Sequence, residues 1–242
     1  MTTDASADAP ADSHADPTVE PHPDGRRTAA AARRRRREKQ ILDATRALFD
    51  ARGVRDAQIE DIARAVGINR AIIYRHFSGK EELFALTLVG YLDELDRRLT
   101  AADDPDAPPR ERLRRITEAY IDYGLTYPAF VDCALTLMRR PGPELLEEIS
   151  ESSLFRLGRG ISACLAQLSE VLETGNASGD FQVSDPTLLA NHMYASGLGA
   201  LQLARVGMLV KESAPGIPAI SPVSPDDVRA YLVATAKALA TG

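Results

Sequence analysis

Arg70, Ala71, Tyr74 and Arg75 recur at helical spacing, so a helix over 70–77 places them on one face, with His76 near its edge. The chemistry of that set is recognition of a polyanion that also carries a readable edge. An arginine offers N–H donors in a rigid fork that matches the two acceptors of a guanine in the major groove. Tyr74 and Lys80 are placed for phosphate oxygens, and the small side chain of Ala71 lets a helix approach closely. A helix opening beside Lys80 would add free N–H groups and a positive dipole end, itself a phosphate site.

These side chains need a scaffold, and the flanking sequence supplies one. Ile41, Leu42, Thr45, Leu48 and Phe49 form an apolar stripe of 3.6-residue period, which Gly53 closes in the position of a C′ residue. Ile59, Ile62, Ala63 and Val66 mark a short second helix ended by Gly67. After Gly67-Ile68-Asn69 a third runs from Arg70 to Phe77, with Asn69 as its N-cap. Two short helices joined by a three-residue turn containing glycine make a helix-turn-helix. Ile73 and Phe77 turn inward against Ile62 and Val66. Ser78-Gly79-Lys80-Glu81 fits a capping box, and opens a long helix through Leu83, Phe84, Leu86, Leu88, Leu92, Leu95 and Leu99.

Charge along the 242 residues agrees with that placement. Residues 1–25 hold six acids and no Lys or Arg, residues 26–80 hold 15 Lys and Arg against 6 acids, and residues 81–242 hold 14 against 23. One basic block inside an acidic protein is built to meet something anionic, either nucleic acid or an anionic membrane. Arg33 to Arg37 form an arm before the first apolar stripe, and Arg36 and Arg37 join the candidate DNA contacts. Residues 1–32, rich in Ala, Asp, Pro and Ser, read as a disordered acidic tail. Its residues 4–24 are candidates to fold back on the arm and compete with DNA.

Other functions find little support. Cys133 and Cys164 cannot supply a disulfide framework or a four-ligand zinc site, and no phosphate-binding glycine loop or G-x-S-x-G occurs. No enzyme, metal or cofactor is expected. No apolar run approaches the ~20 residues of a membrane span, and the acidic start is unlike a signal peptide, so the expected location is the cytoplasm.

Beyond a Pro- and Asp-rich linker at 103–109, helices are expected at about 110–127, 128–139, 143–150, 152–175, 186–210 and 226–240. Pro128, Pro141-Gly142-Pro143, Gly175 to Gly179 and the Pro-rich stretch 214–225 punctuate them. No strand and no internal repeat is expected, and the fold class is all-α. The organisation is a tail (1–32), a three-helix helix-turn-helix head (33–80) and a helical bundle (81–242).

In residues 41–84 the chain resembles the tetracycline-repressor (TetR) family of bacterial regulators. The matching residues are Ile41-Leu42-Asp43-Ala44, Leu48-Phe49, Gly53, Asp61-Ile62-Ala63, Ala65 to Asn69 and Ile73-Tyr74-Arg75-His76-Phe77-Ser78-Gly79-Lys80-Glu81-Glu82-Leu83-Phe84. The resemblance implies a homodimer with a DNA-binding head and a body that binds a small effector. It implies a phosphate role for Tyr74 and Lys80, and base or groove contacts from Asn69 to Arg75. Three positions depart from the pattern. Gln58 replaces a capping Thr, Ile72 replaces a Thr and Asn69 replaces a Ser. Gln is a poor N-cap, so Asp56 or a loop amide is expected to cap the second helix.

Within the body, the effector candidates are Tyr123, Tyr127, Phe130, Cys133, Leu137, Met138, Phe155, Leu157, Met193 and Tyr194. The mostly aliphatic composition suggests a hydrophobic effector. In the resembled family the last two long helices pair with their symmetry mates. Leu189, Met193, Ser196, Gly197, Ala200, Leu201, Ala204, Tyr231 and Leu232 are therefore the expected dimer contacts. The reading is a ligand-responsive transcription regulator, a repressor released from operator DNA by its effector. The alternatives are an activator of the same family, or a helical adaptor whose basic head meets a protein or an anionic surface.

Overall fold

The structure, a computed structural model, describes residues 23–242. The acidic-tail readings for residues 1–22 lie outside the described residues. The chain divides into two units, Met1–Arg37 and Glu38–Gly242.

Helix α1 (Pro23–Arg52) starts well before the arginine run and takes in residues 23–32, which composition had placed in the tail. Ala29 to Ala32 are the strongest helix formers available, and a proline is tolerated in a first turn because its missing N–H has no intrahelical acceptor there. Arg33 to Arg36 are exposed.

In the larger unit the end of α1 is closed by the N–H of Gly53 on the Phe49 carbonyl at 2.8 Å. Two short helices follow, α2 (Ile59–Val66) and α3 (Arg70–His76). Gly67 sits between them at φ +70°, a left-handed conformation that costs a β-carbon-bearing residue free energy, and its N–H returns to Ala63 and Arg64. Ile41, Phe49, Ile62, Ile73 and Phe77 are all buried, so the inward faces expected from spacing meet. Phe49 also packs edge-on against Phe84, ring centroids 4.9 Å apart, which joins the head to α4 (Lys80–Ala102).

Around α4 are α5 (Pro109–Thr126), α6 (Pro128–Met138), α7 (Gly142–Glu148), α8 (Glu151–Ser178), α9 (Pro186–Val206) and α10 (Pro225–Thr241). Leu83, Leu88, Leu92 and Leu95 of α4 are buried almost completely, each worth about 1.5–3 kcal/mol of burial. The loop into α5 is tied by Arg112, itself buried, which donates to both oxygens of Asp103 at 2.8 and 2.7 Å.

One departure from an all-helical chain stands out. The helix expected to reach residue 210 stops at Gly207, and strands β1 (Met208–Ala214) and β2 (Ile217–Pro222) form an antiparallel hairpin before α10. Pro215-Gly216 supplies the turn, with Gly216 at φ +76°, and β-branched Val210, Ile217 and Ile220 favour extended backbone. Read as helix punctuation alone, the prolines concealed that Pro-Gly is also a hairpin signal.

Candidate nucleic-acid interface and internal cavity

Helix α3 is seven residues long and held at both ends. Asn69 Oδ1 accepts the N–H of Ala71 at 2.9 Å, the cap expected of it, and Ile73 and Phe77 anchor the inner face. Ala71, Tyr74 and Arg75 are exposed on the outer face, Tyr74 by 49%, with Ile72 and His76 half-buried. Arg70 Nη1 lies 2.8 Å from Glu60 Oε1 of α2. Both side chains are more than half exposed, so water competes for the pair and an incoming anion can displace it.

The N-terminus of α4 differs from expectation. Ser78 and Glu81 do not form a capping box. Gly79 takes the N-cap position, and the N–H of Ser78 donates to Glu82 Oε2 at 2.5 Å while Ser78 Oγ donates to the Glu148 carbonyl at 3.1 Å. The frame moves by one residue because the Ser78 hydroxyl is drawn to the body. Lys80, first in the helix, holds its ammonium 5.1 Å from the Phe84 ring centroid, a cation–π contact. Gln58 is exposed and makes no side-chain cap on α2, and Asp56 makes none either among the described residues. The first turn instead carries Glu60 and Asp61, whose charge favours the positive helix end. Arg36 and Arg37 lie on the N-terminal unit.

Two polar junctions tie this head to the bundle. Arg46 of α1 places its guanidinium 4.3 Å from the Tyr91 ring centroid and pairs with Glu94, both of α4, while Tyr91 donates to Asp50 Oδ1 at 2.6 Å. At the other junction Glu82 is buried and accepts from Ser150, the N-cap residue of α8, and from Ser153 Oγ at 2.7 Å. Burial alone would raise its pKa. The hydrogen bonds from Ser150, the Ser78 backbone and Ser153 outweigh that and bring it down to about 2.

A partly open cavity of about 70 Å³ lies between α4, α5, α8, α9 and α10. Leu95, Leu99, Tyr120, Cys164, Met193, Tyr194, Leu232 and Leu239 are among its walls, and no charged side chain lines it. Its polar groups are Thr117, Tyr120, Tyr194, Ser196 and Thr235. The Tyr120 hydroxyl donates to the Tyr194 carbonyl at 3.3 Å. Burial pushes the tyrosine hydroxyls up and the Cys164 thiol up to about 12, so these groups stay neutral.

Of the expected effector residues, Met193 and Tyr194 line this cavity. Tyr123, Phe130 and Cys133 are instead fully buried core, the first two with ring centroids 5.3 Å apart. Tyr127 packs at a tilt against Tyr123, ring centroids 4.9 Å apart, and Leu137 and Leu157 are buried. Met138 and Phe155 point outward, 53% and 71% exposed. Tyr120, Cys164 and the α10 residues Leu232, Thr235, Ala236 and Leu239 were missed, although the last four recur at helical spacing.

The face of α9 chosen for its small residues is largely an intrachain face. Gly197, Leu201 and Ala204 are buried, Leu189 packs on the core, Ala200 is half-buried, and Met193, Ser196 and Leu232 line the cavity. Small residues admit Tyr120 and α5 here, since a Cβ on Gly197 would fall 2.7 Å from the Tyr120 ring. The apolar residues that face out are Leu188, Leu203 and Val206 of α9 and Tyr231 and Leu239 of α10.

Residues 41–87 match the family model of bacterial regulatory proteins, tetR family. The chain is 33% identical over 84 residues to the transcriptional activator FasR of Mycolicibacterium smegmatis, which covers 35% of this chain and 38% of FasR. It is 39% identical over 75 residues to the transcriptional repressor KstR2 of Mycobacterium tuberculosis, covering 31% and 38%. The chain thus spans under two fifths of the length of these relatives. The crystal structure of RolR in complex with resorcinol aligns with a TM-score of 0.62 at 17% identity, over 87% of this chain and 90% of that one, a likeness of fold.

Proposed function

We propose that this chain, whose residues 41–87 match the family model of bacterial regulatory proteins, tetR family, is a dimeric, ligand-responsive transcription regulator that represses from an operator. The carrying observation is the outer face of α3, where Ala71, Tyr74 and Arg75 stand exposed beside Lys80 at the head of α4. In this reading α3 enters the major groove. Arg70 and Arg75 read base edges, Tyr74 and Lys80 hold phosphates, and Gln58, Asn69, Ile72 and His76 border the contact. Arg36 and Arg37 add charge from the arm. To read two half-sites, a two-fold dimer built on the outward apolar residues of α9 and α10 has to set the two α3 helices about 34–36 Å apart, one turn of DNA. The protein works on DNA in the cytoplasm and needs no cofactor.

The effector is a small, uncharged, largely apolar molecule. The cavity's neutral walls support this, because a charged ligand would be desolvated there without a partner. RolR, whose crystal structure is a complex with resorcinol, shares the fold. Helix α4 connects the two sites, with Leu95 and Leu99 at the cavity and Lys80 at the DNA. The effector acts by binding more tightly to a conformation with misaligned α3 helices. Likeness to FasR, an activator, supports a second reading in which the same complex recruits transcription.

The test is titration of the protein into the DNA flanking its own gene, and into random duplex, at two salt concentrations. The proposal requires operator binding tighter than random by about 4 kcal/mol or more, weakened by Lys80→Ala. Equal, strongly salt-dependent binding to every duplex tried, including genomic fragments selected on the protein, would overturn it. A reporter gene behind the selected site then separates repression from activation.

A further inference from the structure

The hairpin between α9 and α10 has two unlike edges. In β2, Pro218 and Pro222 pair with Glu212 and Met208 at positions where backbone groups point away from the partner strand. The bond from Val223 N–H to the Gly207 carbonyl fixes that alternation, leaving 208, 210 and 212 of β1 and 218, 220 and 222 of β2 outward. Two of the three outward positions on β2 therefore have no N–H to offer, which blocks that edge. The β1 edge carries Met208, Val210 and Glu212, none of them proline, and no third strand covers it among the described residues.

The hairpin also exposes one apolar face. Met208, Val210 and Ile220 share it, the last two exposed by 74% and 72%. A lone two-stranded hairpin is marginal in water, and one bearing such a face is more so. Met208 and Val210 stand beside the bare β1 edge, so a second copy pairing along that edge brings them against their own counterparts and shields part of the face. The strip also continues from Leu203 and Val206 at the end of α9, the outward residues assigned above to the dimer.

We infer that β1 pairs antiparallel with β1 of a second copy about the two-fold axis, making one four-stranded sheet across the dimer. Antiparallel pairing of a strand with itself is isologous, so the axis that relates two α9–α10 surfaces also relates the two strands. The blocked β2 edges then end the sheet and stop further addition. This rests on the dimeric reading above but goes beyond it, since helix packing alone leaves the β1 edge bare.

Val210→Pro tests it. Proline at 210 removes an outward N–H and leaves the intrachain ladder intact, as Pro218 and Pro222 already do. Sedimentation of the full chain should show a dimer whose dissociation constant rises about tenfold or more in Val210→Pro, with unchanged helical circular dichroism. An unchanged dissociation constant would overturn the strand pairing and leave the helix-based dimer standing. A wild-type monomer at micromolar concentration would overturn both. Should Val210→Pro misfold, amide exchange on the wild type decides. Val210 and Glu212 N–H protected in the dimer and losing protection on dilution support the pairing, and fast exchange in the dimer rejects it.

Discussion

The carboxylate of Glu82, in the first turn of α4, accepts a hydrogen bond from Ser153 Oγ, in the first turn of α8, at 2.7 Å. One end of that contact lies two residues from Lys80 on the candidate DNA face. The other belongs to the helix that supplies Cys164 and Leu168 to the cavity wall. A buried charge thus sits on the positive end of a 28-residue helix and joins the two places where ligands are proposed to act.

Glu82 should therefore govern part of the acid stability. Its folded pKa of about 2 lies below the ordinary carboxylate value, so its contribution is full above about pH 4.5 and lost as pH falls toward 2. The contribution is on the order of 2–3 kcal/mol. Chemical denaturation of wild type and Glu82→Gln at a series of pH values should show the difference narrowing over that interval. A gap constant from pH 7 to pH 2 would count against the assignment.

Removal of the Glu60 carboxylate should strengthen DNA binding. Glu60→Gln frees Arg70 from its ion pair and takes an anion away from the groove face. The expected result is several-fold tighter operator binding with an unchanged melting temperature. Weaker binding would show that Glu60 positions Arg70 productively.

Lys80 and Arg75 should fail in different ways. Lys80→Ala should weaken all duplexes alike and reduce the slope of log K against log salt by about one. Arg75→Ala should cost about 1–3 kcal/mol on the operator and relax the preference at one base pair, with little effect on random DNA. Competition binding against a set of single-base operator variants distinguishes them.

Gly197 should control the cavity. Gly197→Ala puts a methyl group 2.7 Å from the Tyr120 ring, and that ring, itself a cavity wall, must shift to admit it. About 1–3 kcal/mol of destabilisation and a loss of hydrophobic-ligand binding are expected, with operator binding kept in the absence of ligand. Calorimetric unfolding and a ligand-release assay read the two effects separately.

The head was legible because its signals are local. Gly67, Asn69 and the 3.6-residue stripe around Phe49 each fix backbone within a few residues, and the structure places them as spacing demanded. The capping of α4 was not, because the Ser78 hydroxyl answers to Glu148, seventy residues away. The cavity was misjudged for the same kind of reason. Aromatic residues such as Phe130 and Phe155 look alike in sequence, yet one is fully buried and the other lies on the surface. On α9 small residues do mark a close helix approach, but spacing does not say whether the approaching helix belongs to the same chain.

The cavity volume of about 70 Å³ bears on timing. A dry apolar cavity that takes benzene measures about 150 Å³, so any aromatic or larger effector finds no ready-made seat here. An effector of that size would have to displace side chains such as Met193 and Leu239, and the cost of that displacement would subtract from its affinity. Where that displacement precedes binding, entry is limited by how often the bundle opens. The observed binding rate should level off as effector concentration rises, at a plateau set by the protein's own breathing, the same for every effector that fits.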